Sequence, residues 1–99
     1  SSEAIINETS TSESAIGYDG LGYVSAKVKT LAVAKKSGDT FVPPSKETAM
    51  NRTYPIWRFL YMYTAFKPRG DIKAFIDFAM SEKGQKIVED MGFVPLGEK

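Results

Sequence analysis

"YPIWRFLYMYTAF", residues 54–66, carries half of the aromatic residues of a chain that has no histidine and no cysteine. Its inner part alternates. Successive side chains of a strand point to opposite faces, so Phe59, Tyr61 and Tyr63 share one side and Leu60, Met62 and Thr64 the other. Both sides are largely apolar, which is the pattern of a strand covered on each face rather than of one facing water. In front of it, Tyr54-Pro55 reads as an extended or turn dipeptide, because proline keeps the residue before it out of the helical region. The alternative is a small nucleic-acid-binding module built on the aromatic residues from Tyr54 to Tyr63, with Trp57 and Tyr61 as stacking surfaces and Arg52 and Arg58 as cations. Such platforms sit in a basic field. Here 13 basic and 12 acidic side chains leave a net charge of +1, so the covered strand is the preferred reading.

On the C-terminal side, Ile72, Phe75, Ile76, Ala79 and Met80 recur at i, i+3, i+4, i+7 and i+8, the apolar stripe of an amphipathic helix. Arg69-Gly70-Asp71 in front of it is read as a helix start rather than an adhesive tripeptide, since an acid in the first turn complements the helix dipole. Ser81 caps a second helix from Glu82 to Met91, with Ile87, Val88 and Met91 on its apolar edge. Gly92 is its left-handed stop, and Phe93 folds back on the last turn.

On the N-terminal side, Ser1 to Glu8 forms a short helix. It runs into "TSTSES", whose hydroxyls compete for backbone hydrogen bonds, so Thr9 to Ser14 is expected to be loop. Ala15 and Ile16 suit a short buried strand. Gly17, Gly20 and Gly22 then follow in the order G-x-x-G-x-G, the reverse of a dinucleotide fingerprint and without the long helix that should come next. A strand with Leu31 and Val33 on one face ends at the turn Ser37-Gly38-Asp39. After Pro43-Pro44, Ser45 caps a helix of two turns with Thr48 three positions on. Helix, strand, strand, short helix, strand, helix, helix is a mixed α/β order.

Composition excludes several functions. Without cysteine there is no disulfide framework, zinc thiolate site or thiol nucleophile. Without histidine as well, acid–base work would fall to carboxylates, lysines and tyrosines, and no pairing of these stands out. The acidic residues are scattered, giving neither a two-carboxylate site nor a metal cluster. The chain is therefore not expected to be an enzyme, and no cofactor or metal is expected. Its longest apolar run falls well short of the roughly 20 residues that span a bilayer, and its start lacks the basic and apolar pattern of a signal peptide.

In order and spacing, "AIGYDGLGYVS", "VKTLAV", "PPSKETAMNRTYPIWRFLYMYT" and "IKAFIDFAMSEKGQKIVEDMGFVPL" resemble the C-terminal part of the PstS family, the phosphate-binding receptors of bacterial ABC transporters. The most specific pieces are Ala15-Ile16-Gly17-Tyr18, Tyr54-Pro55 with Arg58, Ser81 with Gly84 and Gln85, and the ending Gly92 to Leu96. The resemblance implies an α/β chain that is a fragment of a two-lobe periplasmic-binding-protein (type II) fold, with parts of both lobes joined by a crossover strand. Residues 1–53 would be the remainder of the second, middle lobe, residues 54–58 the hinge or crossover, and residues 59–99 the C-terminal return to the first lobe.

In that family the lobes close on a dehydrated phosphate held by helix N-termini, hydroxyls and an arginine preceding a Gly-Ser-Gly-Thr helix start. This chain has no Gly-Ser-Gly-Thr, so the main phosphate ligands would lie upstream of Ser1 and no residue is carried over as one. Tyr54, Pro55 and Arg58 are the hinge or cleft candidates. The implied function is scaffold and hinge of an extracytoplasmic phosphate receptor, in the periplasm or at the cell surface, with a lipid anchor through an N-terminal segment. The implied partners are inorganic phosphate, bound together with the N-terminal part, a membrane ABC permease, and a complementary or second chain that covers exposed sheet edges. Nucleic acid is not among them.

Overall fold

Serine starts three of the four α-helices in the computed structural model of the chain, which describes residues 1–97. The reason is local. The first N–H groups of a helix have no partner within it, and a serine hydroxyl accepts from one of them without any help from the rest of the fold. Helix α1, Ser2–Thr11, begins with Ser1 Oγ accepting from the Ala4 N–H at 3.2 Å. It continues three residues past the predicted end at Glu8. The hydroxyls expected to break it instead donate back to its own carbonyls, Ser10 and Thr11 each to Asn7 at 2.9 Å, so the expected loop over Thr9–Ser14 starts only after Thr11.

Helix α2, Lys46–Met50, has a reciprocal cap in which Ser45 Oγ accepts from the Thr48 N–H and Thr48 Oγ1 accepts from the Ser45 N–H. Threonine here takes the place of the usual glutamate. Helix α3, Gly70–Met80, carries Asp71 in its first turn, but Arg69 at its cap supplies no side-chain hydrogen bond. Asp71 therefore acts on the dipole rather than as a cap. Helix α4, Glu82–Asp90, starts at Ser81, whose Oγ accepts from the Gly84 N–H. It ends as predicted. Gly92 has φ 84°, its N–H donates to Glu89 and that of Phe93 to Val88, a pair of bonds that closes the last turn.

Two backbone approaches hold these pieces. At the α3–α4 elbow Gly84 is the one buried residue among those described, and a β-carbon there would stand 2.1 Å from the Phe78 carbonyl oxygen. The Gln85 side chain then donates to Ala79 and accepts from the Leu96 N–H, both at 2.8 Å. At the other approach, a 3₁₀ turn at Leu21–Tyr23 lies against the end of α4. A β-carbon on Gly22 would be 2.7 Å from the Gly92 carbonyl oxygen, and beside it the Tyr23 and Phe93 rings meet edge to face at 5.8 Å.

The predicted strands do not form among the described residues. The one expected at Leu31 and Val33 is reduced to a single antiparallel bridge, in which Val33 and Val42 exchange two hydrogen bonds of 2.9 Å. Ile16, expected in a buried strand, is 81% exposed. Phe59–Thr64, the expected crossover strand, is an extended ribbon with the predicted alternation. The rings of Trp57, Phe59, Tyr61 and Tyr63 follow one another along one side at 5.1, 6.4 and 6.4 Å. No backbone group of this ribbon pairs with another among the described residues, and the helices expected over its two faces do not cover it. Alternation is a property of one segment, whereas a strand exists only where a neighbour exchanges hydrogen bonds with it.

The result is an open molecule. Its accessible surface is 8622 Å², against about 5,600 Å² for a compact monomer of its mass. Its radius of gyration is 16.5 Å, against about 13 Å for a compact domain of this length. No hydrophobic side chain is fully withdrawn from water among the described residues. Even on the apolar stripe of α3 only Ile76 and Ala79 are half-buried, while Ile72, Phe75 and Met80 stay exposed. Hydrophobic burial is the main favourable term in folding, so this surface is the chief unmet requirement of the chain. No helix of the described residues is long and apolar enough to cross a membrane.

Candidate functional site

The connection between α2 and the aromatic ribbon is tied by several hydrogen bonds. Helix α2 ends with the N–H of Arg52 donating to Ala49 and that of Thr53 to Thr48. This is the same closure that ends α4, but with an arginine where α4 has a glycine. Arg52 accordingly has φ 62°, a left-handed conformation that a β-carbon disfavours, by about 1 kcal/mol relative to glycine. Asn51 braces the turn, its Oδ1 accepting from the Thr53 N–H at 3.0 Å and the Thr53 hydroxyl at 2.6 Å. The chain then turns at once through Tyr54–Trp57, where the Trp57 N–H donates to Tyr54 and Pro55 stands at the second position, which its fixed φ suits.

The turn brings the arginine over two rings. The Arg52 guanidinium lies 5.2 Å from the centre of the Trp57 ring and 5.3 Å from that of Phe59, and those rings meet edge to face at 5.1 Å. At exposed positions a cation on an aromatic face contributes about 0.5–1 kcal/mol. That is enough to offset the left-handed backbone. The two ring contacts hold the Arg52 side chain against residues 57–59 as they leave the turn.

Tyr54 and Pro55, both hinge candidates from the sequence, sit half-buried in this turn. Arg58 is not brought into the cluster: it is exposed and makes no ion pair among the described residues. Arg52 takes the place at the centre, having been read only as a cation of a stacking platform. The signal that finds it is a short helix ending at Asn51 with no glycine to follow, together with Trp57 and Phe59 within reach on alternate residues. Among the described residues there is no group of acidic side chains placed to hold a metal ion.

An ion pair spans this connection. Lys46 in α2, before it, donates to Glu89 in α4, after it. This hydrogen bond and the charge behind it lower the Glu89 carboxyl from its ordinary value of 4.5. A lowered carboxyl stabilises the folded arrangement above its ordinary pKa, and that contribution is lost as pH falls through the lowered value. Both partners are solvent-accessible, so the pair is a tether more than a source of stability.

We expect Arg52→Gly to leave stability within about 1 kcal/mol of the parent, because relief of the left-handed backbone and loss of the ring contacts act in opposite directions. In NMR spectra of the parent, the Arg52 side-chain protons should be displaced upfield by the two rings, and Trp57→Leu should abolish most of that displacement. Arg52 protons at unstructured positions in the parent would show that no such clamp exists.

Comparison with known proteins places the chain in a family. Residues 1–83 match a family model described as a PBP superfamily domain. The chain is similar to the phosphate-binding protein PstS of Pseudomonas aeruginosa, with 41% identity across 99% of this chain and 32% of that protein. It is similar to proteins of the same name from Staphylococcus saprophyticus, at 37% identity across 96% of the chain and 31% of that protein, and Borreliella burgdorferi, at 36% across 91% and 32%. The chain thus spans about a third of the length of these relatives. An alignment this continuous, with a family model covering most of the residues, settles its membership: the chain belongs to the PBP superfamily, the periplasmic-binding-protein fold.

Proposed function

We propose that the chain supplies the C-terminal third of an extracytoplasmic phosphate receptor serving an ABC-type importer, and that it acts there as lobe scaffold and hinge. The observation that carries this reading is the 41% identity with a phosphate-binding protein across 99% of the chain. The clamp at Arg52, Trp57 and Phe59 supports the hinge role, because the segment joining two lobes must leave one of them in a defined direction if closure is to be reproducible. In this reading residues 1–53 complete one lobe, residues 54–58 cross over, and residues from 59 onward return to the other. The Lys46–Glu89 tether then links the two sides.

The anion donors lie elsewhere in the receptor. A phosphate stripped of water needs nearly all of its oxygens satisfied, and the described residues offer no convergent set of donors. Calorimetry of the chain alone should therefore give no tight phosphate binding. A chimera in which it replaces the C-terminal third of the Pseudomonas aeruginosa protein should bind phosphate. Micromolar affinity for one phosphate per isolated chain would overturn the scaffold assignment, and a folded chimera blind to phosphate would overturn the receptor reading.

A further inference from the structure

Among the described elements, packing stays on one side or the other of the connection at residues 54–58: α3 lies on α4, and α1 on the Leu21–Tyr23 turn. The two sides nevertheless touch, and three contacts between them converge on one segment, residues 89–97. Lys46 of α2 donates to Glu89. Gly22 meets Gly92 backbone to backbone, so closely that a β-carbon on Gly92 would in turn stand 3.3 Å from the Gly22 Cα, and Tyr23 lies edge-on to Phe93. Further along, a β-carbon on Gly97 would be 3.0 Å from the Met50 Cε. The chain thus joins residues 1–53 to the rest twice, once covalently through residues 54–58 and once by this seat.

The seat is suited to turning rather than to locking. Two glycines face each other at its centre, so no side chains interdigitate there as they do where helices pack ridge into groove. No backbone hydrogen bond crosses from residues 1–53 to residues 89–97 among those described. Around the centre stand a ring edge, a methionine and a lysine, and the flexible stems of the last two can follow a rotation. Gly92 itself is pinned, because its left-handed φ of 84° ends α4. We infer that residues 89–97 are a pivot of lobe closure, with Gly22 against Gly92 as the bearing and Lys46–Glu89 as a compliant tie across it. The inference rests on the reading of the chain as part of a two-lobe phosphate receptor whose lobes are joined at residues 54–58, and it supplies what that reading leaves open. One crossover permits rotation about many axes, whereas a crossover and a seat together define one.

The test uses the chimera with the Pseudomonas aeruginosa protein and inorganic phosphate. Spin labels on Lys36→Cys, before the connection, and Lys73→Cys in α3, after it, report the swing of one side against the other. Nuclear Overhauser contacts between the Tyr23 and Phe93 rings report the seat. Phosphate should change the distance between the labels while the ring contacts persist, because a pivot keeps its contact as the bodies move. Glu89→Lys sets two ammonium groups against each other and should alter phosphate affinity about two- to fivefold, and adding Lys46→Glu should restore it. Ring contacts that vanish when phosphate binds would place the pivot elsewhere, and a label distance that phosphate leaves unchanged would mean that no swing occurs. Either result, or an affinity indifferent to Glu89→Lys or not restored by the swap, overturns the inference while leaving the receptor reading intact. A folded chimera that binds no phosphate overturns both.

Discussion

Gly84→Ala is expected to disrupt the α3–α4 elbow. Alanine is ordinarily the better helix former by about 1 kcal/mol, so on propensity alone the substitution should stabilise α4. The environment reverses the sign. The added carbon would lie 2.1 Å from the Phe78 carbonyl oxygen and 2.6 Å from that of Ala79, and these are backbone atoms that cannot rotate away. To relieve the overlap, α4 must move off α3, which breaks the Gln85 bond to Ala79 and with it the bond from Leu96. Forced overpacking destabilises by about 1–3 kcal/mol, and each lost hydrogen bond adds about 1. We predict a net loss of about 3 kcal/mol, read as a fall of roughly 12–24 °C in the helical circular-dichroism melt. The neighbouring exposed Lys83→Ala serves as the control and should be silent. If Gly84→Ala melts with the parent, the elbow is not packed as described.

Gly22→Ala should separate the N-terminal half from the C-terminal end. Its β-carbon would stand 2.7 Å from the Gly92 carbonyl oxygen, and Gly92 cannot easily yield, because its left-handed conformation ends α4. The Leu21–Tyr23 turn would have to withdraw, taking Tyr23 off Phe93. We predict destabilisation of about 2 kcal/mol and loss of nuclear Overhauser contacts between the Tyr23 and Phe93 rings. Persistence of those contacts in the variant would refute the close approach.

The contrast between these two glycines shows what the sequence reveals and what it does not. Ser81, Gly84 and Gln85 stood out as part of the family resemblance, and the start and stop of α4 were legible in Ser81 and Gly92. Those signals are satisfied within a few residues of where they are written. The packing of Gly84 against α3 was not legible, since a glycine inside a helix looks the same whether it is needed for contact or merely tolerated. The strands failed for a related reason. The alternation of Phe59, Tyr61 and Tyr63 is real, but the neighbour that turns it into a sheet is a long-range matter, and the described residues supply only the Val33–Val42 bridge. The extra turn of α1 was misread because Ser10 and Thr11 have two uses for a hydroxyl, and only geometry decides between them. At the crossover, Tyr54-Pro55 announced a turn, while Arg52 was hidden by occupying a position where glycine is the expected residue.

One consequence of that clamp concerns observation. Trp57 is the only tryptophan in the sequence, and it lies under the Arg52 guanidinium against the edge of Phe59. Indole emission depends on nearby charge and on access of water, so the tryptophan emission of this chain comes from a single place, the turn between α2 and the aromatic ribbon. Opening or tightening of that bend would change the colour and brightness of the protein without any attached dye. The tryptophan beneath Arg52 makes that turn visible.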